Sequence, residues 1–498
     1  MSDKPVAEVD GITTCMGFKI RVLQNWDLRR TDFLSIEHEN SVYLLSVQKL
    51  WRDNGQLFAH VQTMGKAPQT PFVKKPVLLA SSSQIQSILQ LNPDSQQSVH
   101  IGHILSTEIA ANFELRKFGR MFITGKSGSG KSYTVGVLVE EFIKKQIPVV
   151  ILDRHAEYSS LKVLVEHEFP KHDPFFHIED PALAFANHIV EFAESTYNPT
   201  TDLDLDYLYI AKPEEIVTQA QCSIINLRGL SIENQKKIAL KVLHSLYDAS
   251  SKGIIPPFFL FIDEAHEFSG KQKDAVSEVI RLISMEGRKF GMNLAIITQR
   301  PQALDVTIRA QAGTWIIHKL TDINDVNITC KSAEGLSLKE DEEAIQMLNP
   351  GEAIITGELC PLNPLLIKIR KRYTIHGGAG FNLSEIVPNK DAFSVAPLIQ
   401  KLRDKTTPES LSTAHDNRIS KILTLTEYET LSSSLIEEKE HLMEIIEEKT
   451  RQIEVMKKEN LDMFNELKKS REEVQKQKRR AEDAVRVAEQ TLSELKKR

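Results

Sequence analysis

The sequence predicts an α/β protein in three parts: a small all-β unit at the N-terminus, a parallel-sheet P-loop NTPase core, and a C-terminal coiled-coil helix. Three observations carry this. Short β-favouring runs fill the first eighty residues. Apolar strands then alternate with helical patterns around a phosphate-loop motif. A charged, heptad-patterned tail lacking glycine and proline closes the chain.

Between Gly17 and Leu79 the runs FKIRVL, FLSIEH, SVYLLSVQKLW and LFAHVQTM are broken by polar or glycine-containing turns, which predicts a barrel or sandwich over 1–80. The polar stretch SSSQIQSILQLNPDSQQSV marks a boundary, and HIGHILSTEIAANFELRKFG leads into the phosphate loop. The strands MFIT, VVILD, CSIINL, FFLFID, LAIITQ and TWIIHKL follow, separated by helical patterns. Near-continuous apolar runs of this kind suit a parallel sheet covered on both faces, and place the core at 81–380. The basic strand-like LIKIRKRYTIHGGAG ends it, and 381–426 reads as a linker.

From Glu427 a heptad register with Ile446, Ile453, Asn460 and Leu467 at position a, and Leu435, Leu442, Met456 and Met463 at d, predicts a coiled coil over 427–498. Asn460 at a favours a parallel pair. Lys449, Ser470, Gln477 and Thr491 interrupt the seam at d, so a solvated single helix also fits.

At 498 residues the chain exceeds one ordinary core. With 41% hydrophobic and 26% charged residues and a net charge of -6, it has an ordinary soluble composition and no basic domain, so a nucleic-acid contact must use a local basic surface such as a pore lining. Cys15, Cys222, Cys330 and Cys360 are isolated, which suggests neither a zinc site nor disulfides. The N-terminus lacks a signal-peptide pattern and no apolar run approaches the ~20 residues that span a bilayer, so a cytoplasmic protein with no membrane partner is expected.

Gly125, Lys126, Ser127, Gly128, Ser129, Gly130, Lys131 and Ser132 satisfy GxxxxGK[ST] between an apolar strand and a helix that continues with Tyr133. Glycines turn backbone N–H groups toward phosphate, the helix N-terminus adds its dipole, Lys131 reaches the β- and γ-phosphates, and Ser132 ligates Mg2+. ATP with Mg2+ is the expected ligand. FFLFIDEAHEF delivers Asp263 and Glu264 at a strand end, the first to hold the magnesium shell and the second to polarise the attacking water. Gln299 ends another strand, where it would contact the γ-phosphate or its water. Arg288, just before that strand, is placed to point toward a neighbour's nucleotide, although alone it reads as a surface arginine. FSGKQ at 268–272 imitates an ABC signature but follows the Asp-Glu strand instead of preceding it.

DRHAEYSSL, FIDEAHEF, EGRKFGMNLAIITQRP and TIRAQAGTWIIHKLTDINDVN, with HIGHILSTEI ahead of the loop, resemble the HerA branch of the HerA/FtsK motors over about residues 8–380. The resemblance implies a RecA-like core, a barrel of the HerA and ATP synthase kind, a homo-hexameric ring, and ATP-driven translocation of double-stranded DNA, in archaea together with the nuclease NurA. It also implies Arg288 as a finger acting in trans and Arg120 as a second arginine near the neighbouring site. Arg154 and Ala156 depart from the family's DPHGEY, leaving the roles of His155 and Glu157 open. The stretch from Leu161 to Gln221 is shorter than the family's helical insertion, and the charged tail is an addition that would tether a partner or second ring. Lys271 and Lys273 are candidate phosphate contacts. A motor serving a defence or conjugation system is an alternative, as is an ATP-gated scaffold whose coiled coil is the working part.

Overall fold

Near-continuous apolar strands that alternate with helices can be buried only in a sheet covered on both sides, and the computed structural model has this arrangement. It describes residues 4–91, 97–165, 170, 173–270, 274–337 and 341–377, together with seven scattered positions between 473 and 489. Contacts divide the chain into one unit ending at Asn382 and a second from Leu383.

Strands β1 (Ala7–Thr13), β2 (Gly17–Val22), β3 (Phe33–His38), β4 (Ser41–Asp53), β5 (Gln56–Met64) and β6 (Pro76–Leu79) close a barrel in the order β1-β2-β5-β4-β3-β6. Phe18, Ile20, Leu34, Ile36, Leu45, Val47 and Val61 alternate into its core. The sequence reading places the barrel at 1–80, which includes β1, but the strand runs it names start only at Gly17. β1 is poor in apolar residues and is held by pairing with β2 and β6 and by the exposed ion pairs Glu8–Arg21 and Asp10–Lys19.

After α1 (Ser82–Ile88) come β7 (Ser98–Ile104), β8 (Ala110–Glu114), β9 (Arg120–Thr124), α2 (Lys131–Lys144) and β10 (Val149–Asp153). Then follow β11 (Ile189–Ala193), β12 (Leu203–Asp204), α3 (Pro213–Ile216), β13 (Cys222–Asn226), α4 (Ile232–Ser251), β14 (Phe258–Ile262) and α5 (Ala275–Glu286). The core closes with β15 (Met292–Thr298), α6 (Val306–Ala310), β16 (Thr314–Ile317), α7 (Ile323–Ser332), α8 (Glu342–Met347), β17 (Glu352–Gly357) and β18 (Cys360–Ile369).

Twelve described strands form one sheet in the order β12-β11-β13-β10-β14-β15-β9-β16-β17-β18-β7-β8. It is parallel from β12 through β16 and antiparallel from there to β8. The parallel part agrees with the sequence reading. Of the remaining strands, the sequence reading marks only the end of β18, as the basic strand-like LIKIRKRYTIHGGAG; β7, β8, β11, β12 and β17 go beyond it.

Alternate residues bury on opposite faces. Met121, Ile123, Val149, Ile151, Phe259 and Phe261 pack with α2, while Phe122, Val150, Leu152, Leu260 and Ile262 pack with α4 and α5. Leu44 and Met64 of the barrel join the α2-side cluster, and the Asn363 side-chain amide donates to Thr63 O, so barrel and sheet are continuous.

The linker, the heptad positions named above other than Gln477, and Lys271 and Lys273 lie outside the described residues. The seven described tail positions, including Val485 and Val487, are helical and exposed. No helix among the described residues is long and apolar enough to cross a membrane.

Candidate functional site

Parallel strands end together, so the residues that follow β9, β10, β14 and β15 gather at one edge of the sheet. The phosphate loop follows β9, Asp153 ends β10, Asp263 and Glu264 follow β14, and Gln299 follows β15. β15 lies between β14 and β9, which separates the Asp-Glu pair from the loop by one strand.

The loop is fixed from within and from behind. Lys126 N–H donates to Lys319 O at 2.7 Å, Ser129 Oγ donates to Lys126 O at 2.7 Å, and Lys131 Nζ lies 3.3 Å from Lys126 O. Gly128 and Gly130 adopt φ of 73° and 114°, the left-handed region that favours glycine. A Cβ on Gly125 would lie 2.5 Å from Ser129 Oγ and 2.6 Å from His318 Cβ, so only glycine fits there. α2 begins at Lys131 with Gly130 as its N-cap and offers free N–H groups to an anion.

Ser127, Gly128, Gly130, Lys131, Ser132, Tyr133 and Glu264 line one cleft of about 670 Å³. Glu157, Pro350, Gly351, Lys368, Lys371 and His376 complete its lining. Gln299 sits beside it, its N–H 3.5 Å from Glu264 Oε2.

The cleft floor carries unbalanced acid. Burial, followed by the nearby charges of Asp153, Glu264 and Glu157, raises the Asp263 carboxyl well above its usual range. Burial likewise lifts Asp153 to about 7, although it accepts the backbone N–H groups of His155, Glu157 and Tyr158. For Glu264, burial acts upward but is outweighed by the His266 hydrogen bond and the Lys131 charge, which hold it below the usual range. A buried carboxylate crowded by other acids, close to Lys131 of the phosphate-binding loop, fits a hard divalent cation shared with phosphate oxygens.

Two backbone features mark this edge. Glu264 takes φ 45° and ψ 46°, a strained conformation for a non-glycine residue that aims its side chain into the cleft. Ala156 takes φ 61°, so alanine is left-handed at the position where the resembling motif has glycine.

Arg120 and Arg288 occupy the opposite edge. Arg120 opens β9, and its Nη1 donates to Gln311 Oε1 at 3.0 Å. Arg288 precedes β15, partly exposed, with Nη1 3.3 Å from Glu358 Oε1. Seven residues of β15 at ~3.3 Å each put Arg288 about 20 Å from the strand end that carries Gln299.

Several cleft residues escaped the sequence reading. The run KIRKRY divides by parity: Arg370 and Arg372 turn inward while Lys371 faces the cleft. Arg370 Nη1 meets Glu140 at 2.8 Å and Nη2 meets Glu141 at 3.0 Å, while Tyr133 Oη accepts Arg372 N–H at 2.8 Å. The signal was the acidic pair in an otherwise apolar stretch of α2, which required basic partners. His318 gave no sequence signal. It is fully buried behind the loop, between Thr134 Oγ1 and Glu352 O, and burial lowers it to about 4.

Fold and site together define a P-loop ATPase. Residues 99–211 match the family model described as the central domain of helicase HerA. The chain is 26% identical over 371 residues to the DNA double-strand break repair helicase HerA of Saccharolobus solfataricus, covering 60% of this chain and 73% of that one. With the probable DNA double-strand break repair helicase HerA of Methanocaldococcus jannaschii it is 25% identical over 430 residues, covering 63% and 84%. Among solved structures, VirB4 of Thermoanaerobacter pseudethanolicus matches over 56% of this chain and 97% of its own at 13% identity and a TM-score of 0.38. These similarities support a HerA-type ATPase.

Proposed function

We propose that this ATPase is a ring-forming motor that moves double-stranded DNA, assembled as a homo-hexamer from a barrel at 1–80 and a motor core at 81–380 and working with a nuclease in DNA end processing. The observation that carries the reading is the division of the site between two edges of the sheet. One chain holds the phosphate loop, Glu264 and Gln299 at one edge, and Arg120 and Arg288 about 20 Å away at the other. In a ring the arginine edge of one subunit faces the nucleotide of the next. The curated relatives named as DNA double-strand break repair helicases support DNA as the substrate.

In this reading the loop N–H groups and Lys131 would hold the ATP phosphates, and Ser132 and Asp263 would hold Mg2+, which would supply charge neutralisation for phosphoryl transfer. Glu264 accepts a hydrogen bond from the attacking water, and its low proton affinity keeps it an acceptor. Gln299 reads the γ-phosphate, and Arg288 and Arg120 stabilise the transition state of the neighbouring site.

The test is ATP turnover by the full chain with and without linear duplex DNA, alongside Glu264→Gln and Arg288→Ala, with particle mass from light scattering. DNA-stimulated turnover in a hexamer-sized particle, lost in both variants with ATP binding retained, is the expected result. Slow turnover indifferent to DNA, with Arg288→Ala unaffected, would refute the motor.

A further inference from the structure

Glu264 belongs to a chain of polar contacts that leads away from the cleft. His266 Nδ1 lies 3.2 Å from Glu264 Oε2 and 3.1 Å from Thr298 Oγ1. An ionised carboxylate can only accept, so the Glu264 contact places a proton on Nδ1, with Thr298 Oγ1, which also accepts Arg300 N–H at 3.0 Å, as its second neighbour. The other ring nitrogen, Nε2, is 3.6 Å from Glu267 Oε1. That oxygen in turn meets Arg154 Nη1 at 3.2 Å, and Arg154 Nε donates to Gln235 Oε1 on α4 at 3.2 Å. His266 is 7% exposed, so its ring has little freedom to turn.

A glutamate that polarises water must present one oxygen along a fixed direction, and Glu264 does so from a strained backbone. The energy that holds such a conformation comes from the contacts around it. We infer that His266, braced by Glu267 and Arg154, is a positioning residue that fixes the Glu264 carboxylate against the Thr298–Gln299 strand end, tying the water-polarising group to the γ-phosphate-reading strand. The inference rests on the proposed role of Glu264. It gives Arg154, where the resembling motif has proline, a part that proline has no side chain to play.

The experiment measures kcat, KM and affinity for a fluorescent ATP analogue in the full-length wild type, Glu264→Gln, His266→Ala, His266→Asn, Arg154→Ala and the double variant His266→Ala with Arg154→Ala. His266→Ala is expected to lower kcat by about 10- to 100-fold, the range seen when a partner that orients a reacting group is removed, with affinity unchanged to within about twofold. His266→Asn keeps a donor near Nδ1 and should recover most of the rate. Arg154→Ala should lose less and add nothing in the double variant.

Wild-type turnover in His266→Ala beside an inactive Glu264→Gln overturns the inference and leaves the Glu264 assignment standing. Turnover retained in Glu264→Gln overturns that assignment instead, and the inference with it. A parallel fall in kcat and affinity with no rescue by asparagine means a merely structural histidine and also overturns it. If His266→Ala does not fold, the partly exposed Arg154 decides, because wild-type kcat in Arg154→Ala is incompatible with the brace.

Discussion

Replacing Glu140 by glutamine removes one charge from a buried set of four. Arg370 and Arg372 face Glu140 and Glu141 between α2 and the strand-end segment that walls the cleft, all of them buried. Glu140 Oε2 accepts Arg370 at 2.8 Å, while Oε1 accepts Thr374 N–H at 2.9 Å and Thr374 Oγ1–H at 2.7 Å. Burial acts to lower the Arg370 pKa, but the Glu140 and Glu141 charges more than reverse this and leave it raised, so the guanidinium depends on them. Glutamine keeps the shape and one acceptor but leaves two buried cations facing one anion. Breaking a buried pair from one side costs about 3–5 kcal/mol, which for a unit of this size lowers the melting midpoint by roughly 5 °C. The assay is thermal unfolding of the full chain at fixed protein concentration, followed by near-UV circular dichroism. Glu140→Gln with Arg370→Met should melt higher than the sum of the single losses predicts, since the partners leave together. A single variant melting within a degree of wild type would refute the claim that the charges are mutually dependent.

Arg288→Ala should lower turnover by about 10³-fold or more; mixing it with Lys131→Ala should recover turnover, as measured in mixed particles, because each supplies the half-site the other lacks. Ala156→Gly relieves a left-handed alanine worth about 1–2 kcal/mol and loses about 0.4–1 kcal/mol to unfolded-state entropy; a gain of roughly 0.5–1 kcal/mol in denaturant unfolding is expected. His318 is lowered from 6.5 to about 4 when folded, so the unfolded chain takes up its proton first as pH falls. Stability from this group is intact above pH 6.5 and about 3 kcal/mol is lost by pH 4. Asp153, raised to about 7, acts in the opposite sense, so the effect is read as the difference between wild type and His318→Gln across that range.

Residues joined by local spacing were legible in the sequence. The loop from Gly125 to Ser132 and the strand delivering Asp263 and Glu264 each form one contiguous element, and parallel strands carry them to a common edge without further information. Residues joined only by tertiary contact were not. Lys368, Lys371 and His376 reach the cleft because β18 runs antiparallel beside β17 and ends above the loop, a pairing that no local pattern encodes. β1 was missed for a related reason: it is held by its pairing with β2 and β6 and by ion pairs more than by apolar alternation. Arg154 looked like a defect in a motif and proves to be a salt-bridge partner of Glu267, which lies far off in the chain.

β18 gives the antiparallel extension a mechanical meaning. At its start, Asn363 donates to the backbone of barrel strand β5. At its end, Lys368 Nζ donates to Pro350 O at 3.1 Å on the cleft rim, and Arg370, immediately after it, is locked to α2, whose first turn carries Lys131 and Ser132. β18 also pairs with β17 and β7 along its sides, so it has little room to bend. β18 therefore joins the buried Arg370–Glu140 pair on α2 to barrel strand β5 through one strand that is paired on both sides, and breaking that pair from one side would cost several kcal/mol.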